Sequence, residues 1–376
     1  MANVTESTTK TKSKRIFYFD ALRALAIIAV IIIHLFSETM SLVMNGYYPF
    51  HSVQWIISDG LGVCFRFGVD LFLMLSGALT LGRNWSVRAL LGRRLPRIIK
   101  PFIFWGFVLS TLQIIVVLIF PNFIPVPSSF TITSYLQYLY SFYMAKGLSS
   151  APYWFFWMIL GTYLIMPIFN RWLEHSKLEE AEYFLVLWLI TCIFDFTLGF
   201  EFPIKLTYFV SPIGLVVLGY YLRNTKRNIL NNPYFAIALT FLPAIVMMIL
   251  SYVYSVPTRF FTFNRYSIFM SLEVAGVFLL FKNAGKFNLE VRFFTNPEGI
   301  FRKAIATLAR YSYGLYLTHA FVLILITKFL NHYAVYTMIP FSLYLLIIFV
   351  GTIVIAIFGM YILKHIPYIK GYMGVK

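Results

Sequence analysis

The sequence contains little charge and little cysteine. Only 12% of its 376 residues are Asp, Glu, Lys or Arg, about half of the share found in soluble domains. Its two cysteines, Cys64 and Cys192, have no metal-binding or redox spacing, and no CxxC, HExxH or glycine-rich phosphate loop is present. The shortage of charge excludes an ordinary soluble domain, and we expect neither a metal cofactor nor thiol chemistry.

Long apolar runs take the place of charge. Hydrophobic residues make up 60% of the chain, and the mean hydropathy is +0.78. Runs of 18 residues or more are long enough to cross a hydrocarbon core of about 30 Å as helices. The pattern predicts an all-α polytopic membrane protein with about ten spans, at residues 16–37, 60–82, 99–120, 152–170, 181–199, 206–222, 233–255, 262–281, 305–330 and 338–363.

The distribution of Lys and Arg predicts the orientation of these spans. If the N-terminus is cytoplasmic, the cytoplasmic stretches hold 24 of the 31 basic residues and the outer stretches hold five. Such an excess on one side is typical of cytoplasmic loops. Both termini are therefore predicted to be cytoplasmic. The net charge of +17 mainly reflects this topology, and we do not expect a nucleic-acid partner.

The chain divides into a tail and one membrane domain. Residues 1–14 are polar and have no apolar period, so they are predicted to be a disordered tail. Residues 15–376 form the membrane domain. The alternative of a cleaved signal peptide is disfavoured, because the first apolar run is long, contains charge and lacks a small-residue cleavage pattern. Residues 133–146, in the longest outer loop, are predicted to form a short interfacial helix.

The first span carries an arginine and a histidine. Arg23 and His34 are 11 residues apart, which places them on one helix face, about 20° apart, with a rise of about 16 Å. Charge inside a membrane is costly and often functional. The structural alternatives are an ion pair of Arg23 with Asp20 and a hydrogen-bonded interfacial role for His34. On spacing alone, the functional and structural interpretations are about equally favoured.

The stretch around these two residues resembles a known family. "YFDALRALAIIAVIIIH", with an arginine, ten residues and a histidine, is similar to the first-helix signature of the acyltransferase family 3 membrane proteins. Further similar motifs follow in the same order along the membrane domain: "FRFGVDLFLMLSGALTLG" (65–82), "RRLPRIIKPFIFW" (93–105), "WFFWMILGTYLIMPIF" (154–169) and "YSYGLYLTHAFVL" (311–323).

The resemblance implies a ten-helix enzyme. Such an enzyme moves an acyl group, usually acetyl, from cytoplasmic acyl-CoA to a hydroxyl of a surface glycan or its lipid-linked precursor on the outer face. It implies that Arg23 and His34 are the catalytic pair, and that Arg94 and Arg97 act with Arg23 on the donor. The chain resembles the stand-alone members without an extracellular esterase-like domain, so a partner protein is an open possibility. A bacterial plasma membrane is implied by the family.

Elementary chemistry fits the same interpretation. Arg88, Arg93, Arg94, Arg97 and Lys100 form the densest cationic cluster, and arginine pairs well with the phosphates of coenzyme A. The alternative is plain topology charge that meets anionic membrane lipids. Topology explains most of the cluster, and phosphate binding explains one or two members. A neutral imidazole at the outer end of the span could remove the proton of an attacking hydroxyl.

Three further ionisable residues inside predicted spans are candidates for a role at the site. Arg66 and Asp70 are four residues apart, and a buried ion pair is favoured over a pore-lining role. Glu273 lies in the middle of its span, where pairing or protonation is expected because an isolated carboxylate is expensive. These residues are candidate supporting groups only.

A polar stripe on the ninth span adds two more supporting candidates. Ser312, Tyr316 and His319 recur at spacings of four and three, which places them on one helix face. His319 belongs to a motif similar to the family, although hydrogen-bonded helix packing explains it about as well.

Two other classes of function compete with the enzyme. A glycan or lipid-linked sugar transporter would also use many helices with buried charge, and a scaffold subunit of a polysaccharide synthase is a weaker alternative. Neither requires a base near the outer surface in line with a cation on the inner side. The spacing of Arg23 and His34 therefore favours acyl transfer.

Overall fold

A computed structural model describes residues 16–120, 131–146, 149–200, 207–255, 264–286 and 299–375. The predicted tail at residues 1–14 lies outside this part of the chain. Within the described ranges the chain forms helices and contains no strand. The prediction of an all-α membrane protein is confirmed.

The helices follow the predicted order. Their bounds are α1 Phe17–Met44, α2 Val53–Cys64, α3 Gly68–Thr80, α4 Val87–Ile119, α5 Ile132–Tyr143, α6 Trp154–His175, α7 Leu178–Ile193, α8 Thr207–Asn224, α9 Pro233–Tyr254, α10 Ile268–Lys282, α11 Ile300–His332, α12 Val335–Met338 and α13 Phe341–Leu363. The helix predicted in the outer loop is present as α5.

Each predicted span corresponds to a helix or a helix pair. In the described part of the chain, eight segments are long and apolar enough to cross a membrane. They contain α1, the α2–α3 pair, α4, α6, α7, α9, α11 and α13. Helices α8 and α10 occupy the positions of the other two predicted spans. The number of ten crossings stays a prediction.

The second span is broken, which the sequence pattern did not predict. Instead of one helix over 60–82, α2 ends at Cys64 and α3 begins at Gly68. A Cβ atom at Gly68 would lie 2.8 Å from the Ala26 carbonyl oxygen of α1. The break is therefore pressed against the middle of α1, between the levels of Arg23 and His34. Broken helices inside membranes occur where neighbouring protein can satisfy the exposed backbone.

Two helices extend beyond the predicted spans at their basic ends. Helix α4 begins at Val87, 12 residues before the predicted start at 99. Ser86 caps it by accepting a hydrogen bond from the Ala89 amide at 3.2 Å. Helix α11 begins at Ile300 rather than 305. Because both extensions are helical, their arginines stand at fixed angular positions.

Helices α1 and α11 form the centre of the molecule. In their most apolar windows, 67% and 61% of the residues are buried, against 28% for α7, α9 and α13. The latter three therefore present most of their surface to lipid. The two helices with the predicted histidines, His34 and His319, pack against each other.

Helices α3 and α8 approach each other closely. A Cβ atom at Gly77 would collide with the Val216 carbonyl group, and one at Gly219 with the Met74 carbonyl group. Small residues that allow backbones to touch are a common way to pack membrane helices. This contact fixes α3, which carries one wall of the site described below.

The chain folds back after α13. Residues 365–375, here called the return segment, turn back towards the bundle and contact α4 and α11. Met373 of this segment is completely buried. The sequence pattern did not predict the fold of this segment. The segment forms part of the wall of the cavity described below.

Candidate active site

A cavity of about 530 Å³ opens at the end of the bundle that carries most of the basic residues. Its walls come from α1, α3, α4, α6, α11 and the return segment. Its cationic lining residues are Arg23, Arg94, Arg97, Arg310 and Lys370. Among the described lining residues there is no carboxylate. The deeper lining is apolar and aromatic, so the cavity suits a ligand with an anionic end and a less polar arm.

Arg23 stands at the wall of this cavity in an ion pair. Its Nη1 donates to Asp20 Oδ1 at 2.8 Å, and its side chain is 19% exposed. The predicted pair with Asp20 is therefore present. It does not remove Arg23 from the site, because the same arginine lines the cavity. Asp20 restrains the guanidinium at that wall.

Arg94 and Arg97 line the cavity from one face of α4. The Nη2 atom of Arg94 also lies 3.5 Å from the Leu79 carbonyl oxygen on the opposite wall. Nearby, burial, followed by the charges of Arg223 and Arg94, lowers the pKa of the Arg83 guanidinium. The mouth thus concentrates positive charge. Arg93, next to Arg94 in sequence, instead stacks over Trp85 at 4.7 Å and does not line the cavity.

His34 and His319 lie side by side, outside the lining of the cavity. Their ring centroids are 5.1 Å apart. The expectation that Arg23 and His34 share one face of α1 is confirmed, since Arg23 lines the cavity beside α11 residues and His34 contacts α11 through His319. No hydrogen bond joins the His34 imidazole to another described residue.

Hydrogen bonds assign the tautomer of His319. Its Nδ1 lies 2.8 Å from the Tyr316 carbonyl oxygen and 3.0 Å from that of Leu315. Carbonyl oxygens only accept, so Nδ1 carries the hydrogen and Nε2 keeps its lone pair. Within the described residues, this buried Nε2 has no hydrogen-bond partner. The ring is fully buried and held in one orientation.

Tyr316 connects the cavity to the two imidazoles. It lines the cavity, and its ring centroid lies 5.9 Å from that of His319. Its hydroxyl donates to the Pro152 carbonyl oxygen at 2.5 Å, and its ring packs against Phe72 and Phe155. Neither histidine lines the cavity itself. A ligand arm must therefore displace or pass Tyr316 to reach them.

The predicted polar stripe of α11 is divided between the cavity lining and the imidazole pair. Ser312 and Tyr316 line the cavity, and His319 lies beyond it. The Ser312 hydroxyl donates to the Ala309 carbonyl oxygen of its own helix at 3.0 Å. The stripe thus runs from the cavity wall to the imidazole pair.

Arg66 and Asp70 do not form the expected ion pair. Both residues are described, yet no salt bridge joins them, and neither carboxylate oxygen of Asp70 has a hydrogen-bond partner among the described residues. The physical reason is the break between α2 and α3, which removes Arg66 from the helix that carries Asp70. Asp70 is 1% exposed. It interacts with Arg265 and Arg66 only through longer-range electrostatic attraction.

Glu273 is buried in α10, at 2% exposure. Its Oε2 atom has no hydrogen-bond partner in the part of the chain that the structure describes. Of the two expectations, pairing is not observed at this atom, and protonation stays a prediction. Glu273 does not line the cavity.

Sequence reasoning missed two cationic lining residues, Arg310 and Lys370. Both were counted only as cytoplasmic topology charge. Arg310 lies near the start of the predicted ninth span, on α11, three residues before Tyr313, which also lines the cavity. That spacing was a usable signal. For Lys370 no sequence signal existed, because it depends on the fold of the return segment.

The two cysteines are not part of the cavity lining. Cys64 and Cys192 are free thiols that lie apart from the cavity. Over the described ranges, no group of three or more His, Cys, Asp or Glu side chains is arranged to hold a metal ion.

These features define a class of protein: a polytopic helical membrane protein with a cationic cavity that ends near a pair of imidazoles. Comparison with known families shows to which family of membrane proteins the chain belongs. The family described as "Acyltransferase domain", acyltransferase family 3, matches residues 16–361. The chain belongs to this family and is a membrane acyltransferase. Neither the curated proteins nor the solved structures that were searched contain a match to the chain.

Proposed function

We propose that the protein transfers an acyl group, in the first instance acetyl, from cytoplasmic acyl-CoA to a hydroxyl of an extracytoplasmic surface glycan or its lipid-linked precursor. The observation that carries the proposal is the cavity itself. Five cations line it, and its lining residue Tyr316 contacts His319, which in turn lies beside His34. An acyl thioester that enters from the cationic end points its reactive carbon towards the imidazoles.

The cations bind the donor in this proposal. Coenzyme A carries a diphosphate and a further phosphate, and arginine forks match phosphate oxygens. Arg94 and Arg97 on α4 hold the nucleotide end, and Arg23, restrained by Asp20, meets the inner part of the donor. The apolar deeper wall, with Phe72 and Phe155, accommodates the pantetheine arm.

His34 acts as the general base. A neutral imidazole nitrogen removes the proton of the acceptor hydroxyl as its oxygen attacks the thioester carbon. The carbon–sulfur bond then breaks, the thiolate of coenzyme A leaves, and the imidazolium returns the proton to that sulfur. The ester remains on the acceptor. His319, with its tautomer assigned by two backbone carbonyls, is a positioning residue for His34.

The acceptor approaches from the opposite end of the helices. His34 lies about 16 Å further along α1 than Arg23, so donor and acceptor enter from different sides of the membrane. This arrangement suits the plasma membrane of a bacterium, where glycans are built outside. A glycan-synthesis protein or a separate transferase is a possible partner for delivery of the acceptor, and Arg66, Asp70 and Glu273 support the fold around the site.

The test is the base-labile ester content of surface glycans. A host without the protein is complemented with wild type, His34→Ala or His175→Ala at matched membrane abundance. His175 is the control because it is an exposed residue at the C-terminus of α6 and does not line the cavity. We expect wild type and His175→Ala to restore the esters, and His34→Ala to leave the glycan present but unacylated.

Two results would contradict the proposal. If deletion removes the glycan from the surface and both histidine variants restore it, the protein is a transporter. If His34→Gln in purified membranes retains full acyl transfer, the general-base role of His34 is wrong, whatever the donor.

A further inference from the structure

The return segment forms part of the cavity wall although it lies outside the family match. The match ends at residue 361, and the segment comprises residues 365–375. Its residues Lys370, Gly371, Gly374 and Val375 line the cavity together with Arg310 of α11. The family match thus stops before a segment that forms one side of the cavity.

The segment is held in place by contacts with α4 and α11, which are here called its seat. The Trp105 indole Nε1 of α4 donates to the Met373 carbonyl oxygen at 3.1 Å, and the Met373 side chain is completely buried. On α11, a Cβ atom at Gly314 would lie 2.8 Å from the same carbonyl oxygen. Glycine at this position therefore leaves room for the segment between α4 and α11.

A second glycine shapes the segment itself. Gly374 has a φ of +72°, which glycine adopts without the strain of other residues. A Cβ atom there would lie 2.8 Å from the Tyr313 ring. Tyr313 in turn donates from its hydroxyl to the Ile98 carbonyl oxygen of α4 at 2.8 Å. The seat is thus made of fixed groups on both helices.

The segment brings a cation to a mouth that is already positive. Lys370 is exposed and lines the cavity, as does Arg310. Neither forms an ion pair with a described residue. Holding two more cations beside Arg94 and Arg97 is electrostatically unfavourable without an anion. An anionic ligand would relieve this repulsion.

We propose that the return segment completes the donor site, and that Lys370 and Arg310 bind phosphate groups of the acyl donor at the mouth of the cavity. The ligand chemistry is that of a nucleotide-linked acyl thioester, and its identity rests on the proposed function. The segment acts as a donor-affinity element.

Inverted membrane vesicles that contain the acceptor allow a direct test, since they expose the cytoplasmic face to added donor. Transfer is measured with acetyl-CoA and with acetyl-pantetheine, which has no phosphate. We expect Lys370→Gln and Arg310→Gln each to lower kcat/KM for acetyl-CoA about tenfold and to leave acetyl-pantetheine unchanged. A merely structural role would lower both donors together.

Lys364→Gln is the matched control. Lys364 is close to the segment, but its Nζ lies 3.8 Å from the Tyr361 ring centroid and it does not line the cavity. It should behave as wild type with both donors. An equal loss in Lys364→Gln and Lys370→Gln would mean that general surface charge attracts the donor, and the proposal would be wrong.

Trp105→Phe tests the seat without touching a cation. It keeps an aromatic ring but removes the N–H that holds Met373. We expect tryptic cleavage after Lys370 to become faster and acetyl-CoA KM to rise several-fold, with acetyl-pantetheine KM unchanged. Unchanged cleavage and unchanged acetyl-CoA KM would contradict a role for this seat.

The results separate this inference from the proposed function. If wild type transfers from acetyl-CoA and Arg94→Gln impairs it, but Lys370→Gln and Arg310→Gln match wild type, only the role of the return segment is overturned. If wild type transfers nothing from acetyl-CoA in vesicles that contain the glycan, the proposed function itself fails.

Discussion

Arg93 and Arg94 show how two adjacent identical residues can have different roles. Arg94 lines the cavity, whereas Arg93 stacks on Trp85 away from it. Both contribute equally to the topology signal of the sequence. The cationic cluster predicted from the sequence therefore divides into members that line the cavity and members that do not, and side-chain direction on α4 decides which is which.

This difference can be measured with a pair of neutral variants. Arg94→Gln should raise the KM for acetyl-CoA about tenfold, because one charge-assisted contact to phosphate is lost. Arg93→Gln should stay within about twofold of wild type, as expected for an exposed charge. Initial rates at varied acetyl-CoA in inverted vesicles provide the comparison. Equal effects of the two variants would contradict phosphate binding by Arg94.

His319 makes a separate prediction at the same scale. His319→Gln should lower kcat about 10²-fold, because His34 loses the ring that fixes its position, and leave the acetyl-CoA KM unchanged. His319 does not line the cavity proposed to hold the donor, so kcat should change without a change in KM. Steady-state kinetics against both substrates measure it. A raised acetyl-CoA KM with normal kcat would place His319 in donor binding instead.

At the scale of helices, the contact between α3 and α8 determines the wall opposite α4. Gly77→Ala places a methyl group against the Val216 backbone, which cannot yield as a flexible side chain would. We expect the variant to be destabilised by more than about 1 kcal/mol. Thermal unfolding in detergent, followed by fluorescence, gives the shift in Tm.

Gly161→Ala in α6 is the control for this prediction. A Cβ atom at Gly161 meets nothing within 4 Å, so alanine should stabilise the helix by about 0.5–1 kcal/mol. Opposite signs for the two variants are expected. A lower Tm for Gly161→Ala than for Gly77→Ala would show that the close α3–α8 contact is not what limits stability.

The same helices show what sequence can and cannot predict. Apolar windows predicted ten positions, and each holds a helix or a helix pair, because burial in lipid demands long apolar runs. They did not reveal the break at 65–67, since "CFRFG" is interrupted by one charge only and the cause of the break is packing against α1. Likewise, helical spacing related Arg23 to His34, but the pairing of His34 with His319 and the position of Lys370 depend on contacts between distant segments.

At the scale of the whole molecule, the orientation of the protein in the membrane determines from which side a donor can enter the cavity. The five cations of the cavity lie towards one end and the imidazole pair lies deeper. Donor entry from the cytoplasm requires that this end be the inner one, as the distribution of basic residues predicts. If the orientation were reversed, acyl-CoA would have no access to the cavity.

Thiol labelling tests the orientation. With Cys64 and Cys192 replaced by alanine, Tyr368→Cys after α13 and Tyr333→Cys after α11 introduce single thiols at exposed positions. A membrane-impermeant maleimide should label Tyr333→Cys in intact cells and Tyr368→Cys only in inverted vesicles, because α13 crosses the membrane between them. The opposite pattern would place the cationic mouth outside. Labelling of both from one side would mean that α13 does not span, and the predicted alternation of loops would fail at that point.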